Sequence, residues 1–254
     1  MNPGVTTLHG TNIYLVGTGK YRAIVDMGEK SAAPAVVSKL LDEVLPAVGC
    51  EQISCVLLTH GHYDHVGGVS ELLLELAARG MQRPSVHKRR ITENDDGSGI
   101  VEIGSFPAVD FECRHLHDGE EISIQGATLK TVYCPGHTDD SVVFVLKEDF
   151  ALLSGDSVLG CGSSVFDDLH AYMQSLHRIR LHFLCQKSAD TIDEGSQGWS
   201  NPPDSHLPPL HSVYPGHGPV VRERALAHVD AYISNRESRE EQLLIALKKV
   251  GVAS

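Results

Sequence analysis

The chain has 254 residues, a hydrophobic content of 41% and a formal net charge of −12 at pH 7. This composition can bury the core of one ordinary globular domain, and it excludes a collagen-like repeat, wholesale disorder and a coiled coil. The acidic balance argues against a protein that coats nucleic acid or anionic membrane through its bulk charge, but it leaves room for a local cationic site.

Cysteine use and hydropathy predict an intracellular, soluble protein. The six cysteines form no CxxC pair, a pattern typical of reduced thiols. No apolar run approaches the roughly 20 residues that span a bilayer, and residues 1–10 lack the features of a secretory or organelle-targeting signal. We therefore expect no membrane partner, and no feature of the sequence predicts a protein partner.

The first third of the chain predicts alternating strands and helices. Segments 11–17 and 21–28 have the pattern of two strands joined by a Gly-Thr-Gly-Lys turn, a hairpin. Apolar residues at helical spacing predict a helix over 33–48. A β-branched run predicts a buried strand at 53–58, and a second helix is expected at 71–78.

The remainder continues the same alternation, with two polar interruptions. Helical patterns cover 167–184 and 222–250, whereas 88–104 is interpreted as an irregular surface loop. The Ser-, Asp-, Gly- and Pro-rich segment 188–209 is interpreted as a mobile insertion. Five strand-like runs are bounded by Gly, Pro or acidic turn residues: 121–124, 128–133, 142–146, 150–153 and 211–214.

The strongest chemical signal is the run that begins at Thr59, because four side chains of metal-ligand type fall within six residues: His60, His62, Asp64 and His65. In extended backbone His60 and His62 point the same way and can clasp one cation. Asp64 and His65 open the next helix, whose turn redirects them towards a second cation. Imidazole and carboxylate together suit zinc, with iron or manganese as further options.

Three further candidates each follow a predicted strand, at a turn shaped by Gly or Pro: His137 in Pro-Gly-His, Asp156 in Ser-Gly-Asp and His217 in Pro-Gly-His. Strand ends of this kind collect functional groups in layered α/β folds. Taken singly each tripeptide is a weak signal, whereas the ordered set is specific.

Other residues near these motifs carry less weight. His115 and His117 alternate like a ligand pair, but they precede a turn and are interpreted as a surface loop. Cys161 is interpreted as structural, with a thiolate ligand as the alternative. The neighbours of the ligands either hydrogen-bond the free ring nitrogens or serve as turn and capping residues: Thr59, Thr138, Asp139 and Asp140.

These residues make the chain resemble the metallo-β-lactamase superfamily. The superfamily pattern is HxHxDH followed by a distant His, Asp and His, and the chain matches it at every ligand. The resemblance implies an α/β fold, a four-layer αββα sandwich, over residues 1–221. It also implies two ligand sets with Asp156 shared by both: His60, His62 and His137 for the first cation, and Asp64, His65 and His217 for the second.

Within the superfamily, segments such as 7–19, 165–176 and 232–242 are similar to animal members that act on single-stranded RNA in mitochondria as zinc-dependent endoribonucleases. The resemblance implies that activity here, with two divalent cations, Zn²⁺ being the expected metal, and single-stranded RNA as the partner. It places the protein in the mitochondrial matrix or cytoplasm. It also implies that 222–254, a C-terminal helical segment, begins a winged-helix module.

The expected chemistry is attack by a water that the two cations activate, with Asp64 and Asp156 as the catalytic carboxylates. The alternative enzyme is an acyl hydrolase related to thioesterases or glyoxalase II, acting on a small acyl or thioester substrate. A metal-binding interaction protein without turnover is disfavoured, because every expected ligand is present.

Overall fold

A computed structural model of the chain describes residues 10–89, 113–184 and 210–249. The strands in these ranges are β1 (Tyr14–Val16), β2 (Tyr21–Val25), β3 (Gln52–Leu58), β4 (Ser85–Lys88), β5 (Cys113–His115), β6 (Glu121–Ile124), β7 (Ala127–Tyr133), β8 (Val142–Leu146), β9 (Ala151–Gly155) and β10 (Ser212–Pro215). The helices are α1 (Ala33–Lys39), α2 (Leu45–Ala47), α3 (Tyr63–Val66), α4 (Val69–Ala78), α5 (Leu169–Leu184) and α6 (Ala225–Lys249), with a π-helical turn at Leu40–Val44.

The first sheet has the order β1-β2-β3-β4-β5, in which β1 is antiparallel to β2 and the other neighbours are parallel. Five of the seven residues of β3 are buried, as expected for a central parallel strand that is covered on both faces. Because β2 and β3 run in the same direction, the residues that follow them, Asp26 and Thr59, meet at one edge of the sheet.

The second sheet has the order β10-β9-β8-β7-β6, and all its pairs are antiparallel except β9 with β10. Strands β7, β9 and β10 therefore point the same way, and their carboxyl ends carry His137, Asp156 and His217. The two sheets are joined at this edge, where the Val142 amide donates to the Thr59 carbonyl at 2.8 Å.

Three buried clusters hold the layers together. One lies between the sheets and includes Leu57 and Phe144, both fully buried. Another packs α1 and α4 on the first sheet, and the third packs α5 and α6 on the second sheet. This arrangement confirms the predicted four-layer αββα sandwich.

Most predicted elements are present within a few residues of their expected bounds, including the hairpin of β1 and β2. One expectation was wrong, because His115 ends β5 rather than lying in a surface loop. Strands β4 and β5 were not predicted. The predicted insertion 188–209 and nearly all of the loop 88–104 lie outside the described residues, and the division at residue 221 stays a prediction.

Helix α6 is the longest helix that the described ranges contain. No helix in those ranges combines the length and the apolar character that crossing a bilayer requires.

Candidate metal centre

The seven predicted ligands converge where the strands of both sheets end. Their candidate ligand atoms fall into two neighbouring groups, and the atoms of each group lie within 4.8 Å of one another. The first group is His60, His62, His137 and Asp156, and the second is Asp64, His65 and His217. Each group thus draws side chains from both sheets.

In the first group three imidazole nitrogens face one another. Nε2 of His60 lies 3.0 Å from Nδ1 of His62 and 3.3 Å from Nε2 of His137. Nδ1 of His62 lies 3.1 Å from Nε2 of His137. The spacing of His60 and His62 along extended backbone therefore places both rings at one point, as the sequence predicts.

The outward-facing nitrogens of this group determine which ring nitrogen carries the hydrogen. Nδ1 of His137 lies 2.8 Å from the carbonyl oxygen of Val165. A carbonyl only accepts, so Nδ1 of His137 donates and the neutral ring leaves its lone pair on Nε2. The Thr59 hydroxyl donates its hydrogen to Asp26, so it accepts from Nδ1 of His60 at 3.0 Å, and the lone pair of His60 is likewise on Nε2.

Asp26 connects the two groups and was not predicted as a functional residue. Its Oδ2 accepts from Nδ1 of His65 at 2.7 Å and from the Thr59 hydroxyl at 2.9 Å, while its Oδ1 accepts from the Thr59 amide at 2.9 Å. Through Thr59 it also fixes His60. This one buried carboxylate therefore sets the ring orientation of one histidine in each group, a role that outer partners of metal ligands commonly have.

The second group is held from outside in the same way. Nδ1 of His217 faces the Gly10 carbonyl oxygen at 3.2 Å, so its Nε2 points inward, 3.2 Å from Oδ2 of Asp64. The Thr11 hydroxyl donates to the same Asp64 oxygen at 2.9 Å. Both Gly10 and Thr11 precede β1, so the N-terminal hairpin forms one wall of the centre.

Asp156 lies between the groups. Its Oδ1 is 3.4 Å from Nε2 of His65, and its Oδ2 is 3.3 Å from Nε2 of His217 and 3.6 Å from Nε2 of His137. A carboxylate so placed can contact a cation in either group, which is the shared role that the sequence predicts for it.

Burial and charge shift the ionisation of these groups strongly. Burial lowers the pKa of His60 well below its ordinary value, and the neighbouring imidazoles lower it further. For His65 burial acts downward too, but Asp156 and Asp26 outweigh it and raise the pKa well above its usual range. Burial likewise opposes the charged form of His217, and hydrogen bonds to Asp156 and Asp64 raise its pKa to about 9.

The donor set fits divalent cations. Nε2 of His65 and Oδ1 of Asp156 are buried and have no hydrogen-bond partner, although buried polar atoms are nearly always satisfied. The lone pairs on Nε2 of His60 and Nε2 of His137 also point at each other across 3.3 Å, which is unfavourable unless a cation lies between them. Nitrogen and carboxylate donors without a thiolate are typical of zinc, iron or manganese sites.

Cation affinity is expected to depend on pH, because His65 and His217 hold protons at neutral pH in the metal-free protein. A bound cation must displace them, so lowering the pH from 9 to 6 weakens binding by up to about tenfold per pH unit for each proton displaced. Zn²⁺ titrations over this range, in buffers with different ionisation enthalpies, measure both the affinity and the protons released. A pH-independent affinity without proton release would contradict these assignments.

The remaining sequence candidates lie outside the centre. The rings of His115 and His117 meet edge to face, with their centroids 4.6 Å apart, but neither residue belongs to a ligand group. Cys161 is exposed and also belongs to neither group. Of the predicted neighbours, Thr59 does hydrogen-bond a ligand ring, whereas the ring of His137 is held by the Val165 carbonyl.

The other neighbours form a turn network of their own. The Thr138 hydroxyl donates to Oδ1 of Asp140 at 2.7 Å. The other oxygen of Asp140 pairs with Lys88, which has its charge largely buried. These contacts brace the turn that carries His137, in agreement with the structural interpretation of Thr138 and Asp140.

Asp26 and Thr11 have weak sequence signals. Asp26 is an acidic residue directly after a buried strand and shortly before a glycine. It has a φ of 58°, a left-handed conformation that Asp tolerates better than most non-glycine residues. This combination is a usable signal, but Thr11 has none beyond its place before a strand.

Comparison with known proteins identifies the family. Residues 6–213 match the model of the metallo-β-lactamase superfamily. A β-lactamase-like protein 2 homologue of Caenorhabditis elegans is 35% identical over 98% of this chain and 69% of its own length. An atrochrysone carboxyl ACP thioesterase of Aspergillus fumigatus is 32% identical over 98% of this chain and 63% of its own length.

A solved structure supports the same assignment. A protein in a di-iron-bound form shares 25% sequence identity and superposes with a TM-score of 0.57, covering 90% of this chain and 94% of that protein. The family-model match over residues 6–213 includes six of the seven ligands, all except His217. The chain belongs to the metallo-β-lactamase superfamily and is a hydrolase of that fold with a His/Asp metal-binding site.

Proposed function

We propose that this hydrolase is an endoribonuclease that cleaves single-stranded RNA with two divalent cations, Zn²⁺ being the expected metal, in the mitochondrial matrix or the cytoplasm. The observation that carries the proposal is a seven-ligand centre in a chain 35% identical to a β-lactamase-like protein 2 homologue. That match covers 98% of this chain, far beyond the ligands themselves.

The ligands would be divided as the two groups are. His60, His62 and His137 would hold one cation, Asp64, His65 and His217 the other, and Asp156 would contact both. Cations held here would supply Lewis acidity to a phosphate oxygen and activate water as the nucleophile.

The chain's own groups supply position and charge. Asp26 keeps the hydrogen of His65 on Nδ1, so that the lone pair of the inward Nε2 is available to bind a cation. Thr11 holds Oδ2 of Asp64 from outside. Asp64 is 19% exposed against 9% for Asp156, so it is the carboxylate that can orient an attacking water, while Asp156 stays enclosed between the rings.

The rival function is thioester hydrolysis, favoured by the 32% identity to a fungal ACP thioesterase over the same share of this chain. The same ligand set suits both reactions, because an acyl oxyanion and a phosphate oxygen need the same positive charge in the transition state. The choice therefore rests on the substrate that the cleft accepts.

The test offers both substrates to one preparation. We expect the metal-loaded protein to cleave an end-labelled 20-nucleotide single-stranded RNA, and dialysis against a chelator to abolish cleavage. Asp64→Ala should lower kcat about 100-fold or more, since it removes a ligand and the orienting group together. Labelled fragments are resolved on gels, and a panel of acyl-pantetheine thioesters is followed by thiol release.

Asp149→Ala is the matched control, because Asp149 is exposed in the turn between β8 and β9, at the edge opposite the centre. It should retain full activity and full metal content. Intact RNA together with rapid thioester hydrolysis by fully loaded protein would overturn the ribonuclease proposal in favour of the rival.

A further inference from the structure

A cavity with charged and polar side chains in its lining lies outside the metal centre. Its volume is about 370 Å³, and its lining includes Ser163, His228, Tyr232, Asn235, Arg236 and Arg239. This volume lies in the range of about 300–1,000 Å³ that is typical of small-molecule sites. Its lining contains two arginines and no carboxylate, an unusual composition in a chain with a net charge of −12.

The spacing of α6 builds this cationic wall. Five lining residues of α6 follow one another at helical spacing and so share one face of the helix: His228, Tyr232, Asn235, Arg236 and Arg239. The acidic residues of α6 at positions 237, 240 and 241 are absent from the lining. Within the described ranges neither Arg236 nor Arg239 forms an ion pair with a carboxylate.

The opposite wall is the loop that follows Asp156. Tyr232 fixes this loop, since its hydroxyl receives a hydrogen bond from the Leu159 amide at 3.0 Å and donates to the Gly162 carbonyl at 3.0 Å. Nε2 of His228 donates to the Leu159 carbonyl at 2.8 Å. The cavity is therefore walled by a helix and by a loop that three hydrogen bonds with Tyr232 and His228 hold in place.

The same loop backs the metal centre. Arg236 donates to the Ser164 carbonyl oxygen, and its guanidinium lies 4.9 Å above the ring of Phe166. The Ser164 hydroxyl contacts Nδ1 of His137 at 3.4 Å. A single residue, Ser164, thus lies between Arg236 of the cavity and His137, a predicted metal ligand.

We infer that this cavity binds a backbone phosphate of the single-stranded RNA substrate, one or more nucleotides away from the bond that is cut. The inference rests on the proposed ribonuclease function. Arg239 is exposed and supplies a guanidinium that can contact the phosphate, Arg236 lines the cavity beside it, and Asn235 and Ser163 offer neutral donors. Arginine suits this task because its planar fork matches phosphate oxygens.

The experiment compares Arg239→Gln with Arg239→Lys and with the matched control Arg83→Gln. Arg83 is exposed before β4, at the edge of the sandwich opposite the metal centre. Binding to the metal-loaded protein is measured by fluorescence anisotropy with a labelled 12-nucleotide RNA whose linkages are phosphorothioates, which makes hydrolysis slow. Steady-state cleavage is measured on the ordinary 12-nucleotide RNA and on a dinucleotide.

For Arg239→Gln we expect about fivefold weaker binding of the 12-nucleotide probe and a salt dependence reduced by about 0.7 in the log–log slope, the contribution of one phosphate contact in single strands. KM for the 12-nucleotide RNA should rise by a similar factor with kcat unchanged within twofold. Arg239→Lys should restore most of the affinity, and Arg83→Gln should behave as the unaltered protein.

The two failures can be told apart. If RNA is not cleaved, the proposed function is wrong, yet the anisotropy measurement still tests the cavity. Equal binding by Arg239→Gln and Arg83→Gln would overturn the inference. It would also be overturned if Arg239→Gln left RNA binding and the KM for RNA unchanged but raised the KM for a thioester of phosphopantetheine. The cavity would then bind the phosphate of an acyl substrate.

Discussion

Replacement of Asp26 by alanine is expected to remove metal from both groups, although Asp26 itself is not a ligand. The change deletes the acceptor for Nδ1 of His65 and for the amide and hydroxyl of Thr59. Outer partners of this kind are each worth about 10- to 100-fold in metal affinity. Since Asp26 serves one histidine in each group, we expect at least a 100-fold loss of cleavage activity.

The alanine variant should also be less stable by about 3–5 kcal/mol, because removing one partner of a buried pair leaves the other without its counter-charge. The φ of 58° adds strain for alanine that aspartate bears more easily. Urea unfolding of the metal-free proteins measures this difference apart from any effect of bound metal.

Asp26→Asn separates the stability effect from the metal effect. Asparagine keeps the volume, tolerates the left-handed backbone and can still accept from Thr59. Its amide nitrogen, placed at His65, would donate to Nδ1 and shift the ring hydrogen to the inward Nε2. We therefore expect this variant to recover most of the stability and little of the metal content.

Metal content per chain, measured by mass spectrometry of the purified proteins, decides the outcome. Asp139→Asn is the control, because Asp139 is exposed on the turn beside His137 and its side chain contacts no ligand. If Asp26→Asn retains both cations with unchanged activity, the role assigned to Asp26 is wrong.

Gly216→Ala carries the second large expected effect. A β-carbon at this position would overlap Oδ1 of Asp156 and would approach Cε1 of His65 to 2.8 Å. Neither side chain has room to move away, because Asp156 and His65 are both buried where the two ligand groups meet. We expect Asp156 to be displaced and activity to fall about 100-fold, the loss that a misplacement of about 1 Å commonly causes.

The control for the effect of the added methyl group is Gly80→Ala, at a position shortly after the end of α4. Gly80 has a φ of 66°, and an added β-carbon meets nothing within 4 Å. That substitution should lower stability by about 1–2 kcal/mol through backbone strain while metal content stays unchanged. Metal content and kcat of Gly216→Ala within twofold of the unaltered protein would show that Asp156 does not need its present position.

The ligands could be predicted from sequence because each lies on a short turn, rich in Gly or Pro, directly after a recognisable strand. His137 and His217 even share the tripeptide Pro-Gly-His. Asp26 and Thr11 could not be identified in the same way. They come from a hairpin that is distant along the chain, and only the meeting of strand ends in three dimensions gives them a role.

The elements that prediction missed are those whose sequences carry little periodicity. Strands β4 and β5 have four and three residues, too few for an alternating pattern to be distinguished from a loop. The expected helix over 33–48 is interrupted by a π-helical turn, Leu40–Val44, where the amide of Leu45 bonds back to Leu40. Pro46 follows and has no amide hydrogen to continue the regular ladder.

The division of ligands between the sheets has a consequence for how the protein matures. His60, His62, Asp64 and His65 follow a strand of the first sheet, and the other three follow strands of the second. Neither half of the chain holds all the ligands of either group, so a molecule with only one half folded lacks a complete metal site. Full coordination of either cation would therefore require both halves of the chain to be docked, so we expect metal content to report correct assembly of the two sheets.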